Sequence, residues 1–449
     1  MKKLILIICF SFFFNSFAQD HYSGINTSQK VGILKANINP AELSNLDSKY
    51  EISFFSTSVT ASNNIISFSD IKNGEDIADL VFNGEEPVNM RIDAEILGPG
   101  FAMKKNKWAW AISTKAYVKT NLVDVNPQLA NGINLGLDNL TTGSTTISSD
   151  YNQRANGTSW GELGFSLSRI LTENEKHKFN AGATVKLLFP GSYTNMGLDQ
   201  FQGTINTVGN EAYLNNTQAN LNIAYSQNLE DSFSSFKDYS EAFFGQLNGF
   251  SADFGVNYRL KDNDSYKVNT GISIRNIGNM TFNNPENSTT NYKLKIEPTA
   301  ENPNGLAVTQ FLNATNIQDI ETILLNNGYL QEIKSNKDFK VKMPTVITFY
   351  TDVKLYSKFF MSLYTQQKIG NDSENTQITT QNVISITPRF SLKNFEIYSA
   401  WANNEISGTT GGLGFIIYGF YMGSSSILTA LASDPKQGDF YLGYRLALK

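Results

Sequence analysis

The sequence predicts an all-β fold: a transmembrane antiparallel β-barrel of about 14 strands, with short helices in its loops or lumen. Three observations point there. The chain opens with an export leader. Long runs alternate apolar and polar residues with period two. Aromatic rings recur at the ends of those runs, as in the girdles of outer-membrane barrels. Composition agrees with this reading. Of 449 residues only 17% are charged, 12% are aromatic, and Phe and Tyr number 31 and 20. Mean hydropathy is nonetheless only −0.27. A disordered chain would be richer in charge and poorer in rings. A net charge of −5 argues against a nucleic-acid binder. A single Cys excludes a disulfide scaffold.

Residues 1–18 read as a signal peptide: Lys2 and Lys3, an apolar stretch from Leu4 to Phe14, then Asn15-Ser16-Phe17-Ala18 with small residues at −3 and −1. The apolar run is too short to span a bilayer as a helix. Cys9 lies inside it after Ile8, where a lipoprotein signal wants a small residue, so lipid anchoring is not expected. Cutting after Ala18 leaves 34 basic and 41 acidic residues, net −7, and no Cys. The expected location is therefore the Gram-negative outer membrane. Residues 19–49 form an N-terminal segment and a candidate lumen plug. Residues 50–449 form a single barrel.

The alternation is plain in the body of the chain. Phe250, Ala252, Phe254, Val256, Tyr258 and Leu260 alternate with Ser251, Asp253, Gly255, Asn257 and Arg259. Phe440, Leu442, Tyr444, Leu446 and Leu448 alternate with Tyr441, Gly443, Arg445 and Ala447. Runs of about 9–11 residues suit a tilted transmembrane strand, whereas soluble strands average about 5–6. Pattern alone does not separate a barrel from an exported sandwich, because both bury one face. Leader, run length and rings favour the barrel.

Fifteen segments qualify: 50–60, 91–104, 107–121, 158–171, 177–190, 212–227, 249–261, 266–278, 289–297, 340–356, 358–369, 379–392, 394–403, 408–422 and 438–448. Single-chain barrels usually have an even number of strands. Fourteen is adopted, with twelve or sixteen also compatible. Turns are expected at Lys105-Asn106-Lys107, Asp262-Asn263-Asp264 and Lys393-Asn394, on the periplasmic side. Residues 122–157 suit an extracellular loop. Residues 229–247 and 311–333 have near-helical apolar spacing, and 424–433 read as a Ser-capped apolar stretch.

No catalytic constellation appears. His21 and His177 are the two histidines, and neither accompanies a Ser in a strand. No metal site, cofactor motif or P-loop is present, so no enzyme and no cofactor are expected. Gly408 to Gly414 is Gly-rich but opens a strand rather than a helix. Nine charges fall on the polar faces: Lys115, Lys186, Asp253, Arg259, Arg275, Asp352, Lys354, Arg389 and Arg445. They are candidate lumen-lining residues. Both signs occur, which favours a mutually paired internal network over a bare solute path.

Asn39-Pro40-Ala41 resembles the Asn-Pro-Ala lead-in element of barrels related to FadL-type long-chain fatty acid transporters. Gly98-Pro99-Gly100-Phe101, the stretch Gly249 to Arg259, Met343-Pro344-Thr345 and Asp439 to Arg445 look like an uncharacterised Bacteroidota outer-membrane barrel family. The resemblance implies about fourteen strands and, from the FadL side, passage of apolar substrates beside an N-terminal hatch. The expected function is a channel or transporter for a small or apolar solute. The alternative is a structural or docking barrel for a surface secretion, gliding or adhesin machine. Expected partners are outer-membrane lipid, the barrel assembly machinery and a surface or periplasmic protein, with no nucleic acid.

Overall fold

Along the wall strands most apolar side chains point away from the barrel axis and most polar ones toward it. On one strand Phe254 is 51% exposed while its neighbour Asp253 is 2% exposed. This inverts a soluble protein, and it is what a lipid solvent demands. The computed structural model describes residues 21–448 except 83, 130–142, 210, 227–243 and 263–264. The leader, most of 229–247 and two residues of the Asp262-Asn263-Asp264 turn therefore lie outside the described residues.

Fourteen strands form the wall. They are β1 (Tyr50–Asn63), β2 (Val88–Lys105), β3 (Trp108–Val125), β4 (Gln153–Glu173), β5 (His177–Val208), β6 (Gly249–Asp262) and β7 (Ser265–Phe282). Then come β8 (Phe339–Lys342 and Val346–Tyr356), β9 (Phe359–Lys368), β10 (Val383–Ser391) and β11 (Phe395–Tyr398 and Trp401–Asn404). The wall ends with β12 (Gly408–Gly411 and Leu413–Ile417), β13 (Phe420–Ser424) and β14 (Gln437–Leu448). Each pairs antiparallel with the next. The ring closes where β14 pairs with β1, from Tyr50↔Leu448 to Ser62↔Gln437. Closure leaves no open edge, so backbone groups inside the bilayer are satisfied.

The total of fourteen matches the expectation, but its composition differs. Residues 211–225 and 288–296 are strands outside the wall, and 408–422 is two strands rather than one. The fold of 408–422 turns at Tyr418 (φ 50°) and Gly419 (φ 101°). The two extra strands belong to a second sheet. The far half of β5 leaves the wall and pairs with Ser144–Ser148 and Glu211–Tyr225. Ser288–Ile296 and Leu330–Asn336 extend that sheet. Its apolar face buries Phe201, Leu221, Ile223, Tyr292 and Leu294 under Leu324 of the Ile317–Asn326 helix.

Other expectations are corrected in extent. The helix in 311–333 spans only Ile317–Asn326, capped by Asn316, and Leu330–Asn336 is strand. The Ile427–Ala432 helix receives no side-chain cap from Ser426; the Ser424 hydroxyl accepts from the Ile427 amide instead. The 122–157 loop is shorter than expected, since β3 runs to Val125 and β4 starts at Gln153. Short turns join the strands at the end where β1 begins and β14 ends, and one more, residues 405–407 between β11 and β12, lies at the opposite end. All long connections, and the second sheet, lie at that opposite end.

Ile272, Phe349 and Val256 face outward side by side at mid-wall and are exposed. Ile272→Lys should cost about 2–4 kcal/mol in reversible unfolding from lipid vesicles, whereas Phe359→Lys, beside a short turn, should cost about 0–1. Equal penalties at both positions would contradict the assigned lipid belt.

Candidate functional site

Residues 21–49 lie inside the barrel, buried almost throughout. The segment is short turns rather than strand, namely Gln29–Val31, Ile33–Ala36 and Pro40–Asn45. Such a chain leaves many backbone groups without ladder partners, so the wall must supply them. It does so with side chains. Lys104 and Lys178 donate to the carbonyls of Leu46 and Ser44 at 2.7 and 2.9 Å. Arg275 donates to the Asn37 carbonyl at 3.1 Å.

Asn39-Pro40-Ala41 packs directly against the wall. Asn39 is extended (φ −154°), and its side-chain oxygen accepts from the Ala41 amide at 3.0 Å. That bond caps the Pro40–Asn45 turn, whose first φ the proline ring presets. The Asn39 amide donates to the Val256 carbonyl at 2.9 Å. The seat is built from glycine. Gly182 of β5 pairs with Gly255 of β6. A Cβ on Gly182 would come within 2.5 Å of the Ala41 nitrogen, and one on Gly255 would strike the Asn39 oxygen.

The next residue, Glu42, is the electrostatic centre. Its carboxylate meets Lys35 at 3.3 Å and Arg259 at 3.1 Å. It accepts from Asn45 and Asn269 at 2.8 Å, from Asn257 at 3.0 Å, and from the Tyr350 hydroxyl. Burial opposes its charge, but Lys35, Arg259 and the donors outweigh burial and hold the carboxyl below the usual range. A second buried carboxylate, Glu51, accepts from the Ile33 amide at 2.7 Å and pairs with Arg445 at 2.8 Å.

All nine sequence-nominated charges point inward, and each has a partner. Arg259 and Arg445 hold the inner segment through Glu42 and Glu51. Lys115 pairs with Glu162 at 3.7 Å, and Lys186 with Asp253 at 2.8 Å. Asp352 pairs with Arg389, and Lys354 with Asp262 at 2.7 Å near a short turn. Arg275 also bonds Thr348 at 3.2 Å.

The far mouth is closed as well. Arg154, fully buried, donates to the carbonyls of Asp372, Asn375 and Gln377 in the 369–382 connection. Arg91 adds an ion pair to Asp372 at 3.2 Å. Between this cap and the inner segment lies a cavity of about 90 Å³, touched by Lys115, Lys119, Trp160 and Arg275. On the outer surface of the same wall is an apolar cleft of about 490 Å³. Val118 and Leu122 of β3, Ala155 of β4 and Met196 of β5 form its floor; Ile317 and Ile320 form its roof. Lys119 belongs to both linings, so one strand's thickness separates cleft from cavity.

A family model for a family of unknown function, DUF5723, matches residues 40–425. The chain belongs to DUF5723. No curated protein matches it. Among solved structures, a deltaS2S3 mutant of the TodX monoaromatic hydrocarbon channel aligns with TM-score 0.49 at 9% identity, over 92% of this chain and 94% of that one. The CymD monoaromatic hydrocarbon channel aligns with TM-score 0.44 at 11% identity, over 93% and 94%. The Pseudomonas putida toluene transporter TodX aligns with TM-score 0.42 at 8% identity, over 96% and 98%. Likenesses this distant bear on neither substrate nor mechanism.

Sequence reasoning nominated Asn39, Pro40 and Ala41 but passed over Glu42, Glu51, Lys35 and Arg154 of this DUF5723 chain. The available signal for Glu42 was its place directly after the Asn-Pro-Ala stretch. Glu42→Ala leaves Lys35 and Arg259 unpaired in a buried site, an expected loss of about 3–5 kcal/mol in seating the segment. Limited proteolysis within residues 21–49 should accelerate accordingly, and unchanged protection would count against the assignment. Because the Glu42 pKa is lowered in the folded state, its contribution is full at neutral pH. Protection of wild-type protein should fall only as pH drops below the ordinary carboxylate range, and loss on going alkaline would contradict the sign.

Proposed function

We propose that this DUF5723 barrel sits in the outer membrane and admits a small apolar solute, with residues 21–49 as its stopper. The observation that carries the reading is the apolar cleft of about 490 Å³ beneath Ile317 and Ile320. It lies on the outer side of β3, β4 and β5 and backs onto the internal cavity. A concave, mostly apolar site of this size suits one small hydrophobic molecule. The stopper supports the reading too. It is lodged by polar and ionic contacts and a glycine seat, and it is not woven into the wall's ladder. Export by residues 1–18 and insertion by the barrel assembly machinery belong to the same proposal.

Uptake of a small aromatic hydrocarbon tests it, in cells whose lipopolysaccharide leaflet excludes hydrocarbons. Expression should raise uptake, and Ile317→Asp with Ile320→Asp should reduce the gain at least fivefold. Uptake at the level of cells lacking the protein, or undiminished in the double variant, would contradict the proposal. A docking barrel is the second reading, favoured by the sheet that β5 carries beyond the wall. Gentle affinity purification from membranes should then recover a stoichiometric partner rather than a free monomer.

A further inference from the structure

The second sheet has two faces, and one is not accounted for by packing. Opposite its apolar core lies a cleft of about 890 Å³. Its floor is two rows of polar side chains that cross the strands in register. In one row Gln202 stands opposite Gln218, and Gln218 opposite Lys295. In the other, Asn220 stands opposite Lys293, with Gln200 beside it. Rows of this kind repeat at the strand spacing of about 4.8 Å.

The concavity has an identifiable cause. The pairing of β5 with Glu211–Tyr225 shifts register twice, between Asp199 and Gln202 and between Gln202 and Thr204. Each shift coincides with a non-glycine residue in the left-handed region, Gln200 (φ 53°) and Asn216 (φ 45°). Bulges bend a sheet and re-aim side chains. Left-handed residues with a Cβ cost free energy and persist only where the surroundings impose them. Here the first bulge keeps Phe201 in the apolar core while Gln200 and Gln202 both face the cleft.

The amides are pre-oriented but not saturated. The Gln218 amide donates to the Gln202 oxygen at 2.8 Å, and the Asn220 amide donates to the Gln200 oxygen at 3.1 Å. The side-chain N–H groups of Gln200 and Gln202 and the carbonyl of Gln218 remain open for a ligand. Donors and acceptors thus alternate over a concave surface. Charge does not select an anion, because Lys293 and Lys295 are matched by Asp150 and Glu297 in the same lining.

We infer that this cleft is a glycan-binding site, taking a neutral polyhydroxylated ligand whose adjacent hydroxyls each donate and accept. The ligand is either a free oligosaccharide or the sugar headgroup of an outer-leaflet glycolipid. The site is separate from the apolar cleft and does not depend on the uptake proposal.

The test uses the full-length barrel in nanodiscs, screened on an array of neutral oligosaccharides. Wild type should bind at least one glycan. Gln202→Ala with Gln218→Ala should weaken that binding at least tenfold, and Asn220→Trp, which fills the cleft, should do the same. Heat-modifiable electrophoretic mobility confirms that each variant is a folded barrel. Nanodiscs carrying lipooligosaccharide identify the source. Loss of array binding there, together with direct binding of wild type but not of the double variant to immobilised lipooligosaccharide, supports a glycolipid ligand; unchanged array binding supports a free one. No bound glycan in either format, or binding that survives both variants, would overturn the inference.

Discussion

The structure turns on one buried carboxylate. Glu42 sits inside the barrel against β6, β7 and β8, with two cations and four neutral donors around it. Its partners come from three wall strands and from the inner segment itself. A charge in such a place is tolerable only when it is fully paired, and removing a partner strands the others. The surrounding design follows from that constraint. Asn257 and Asn269 face the lumen to reach it, and Tyr350 spans from β8. Gly182 and Gly255 give up their side chains so that Asn39 and Pro40 can approach.

The same logic runs through the lumen. Its side chains are polar because the outward positions are taken by apolar ones, and the polar groups must then satisfy one another. Lys115, Glu162, Lys186 and Asp253 form a chain across β3, β4, β5 and β6. Arg154 holds the far cap by backbone carbonyls alone. The described lumen charges are therefore mutually paired, and the apolar cleft lies outside the wall, beneath Ile317 and Ile320.

Much of the wall was legible in the sequence, because period two with rings at the ends is what a lipid-facing strand looks like. Alternation does not say what covers the apolar face. Leu221 and Ile223 alternate with Asn220 and Asn222 as a wall strand would, yet their cover is the core under Leu324 rather than lipid. The turn at Tyr418 was hidden because apolar residues continue through it on both sides. The inward direction of Asp253 and Arg259 could be read from their strands. Glu42 could not, since it lies in a stretch with no period, and its partners are more than two hundred residues away in β6 and β7.

Hydrogen exchange of the inner segment, followed by mass spectrometry on protein in bilayers at neutral pH, tests the central claim most directly. If the Glu42 network seats the segment, amides of residues 33–46 should exchange as slowly as those of β6 and β7, and Glu42→Gln should release them while the wall stays protected. Fast exchange of residues 33–46 in the wild-type protein would contradict the account.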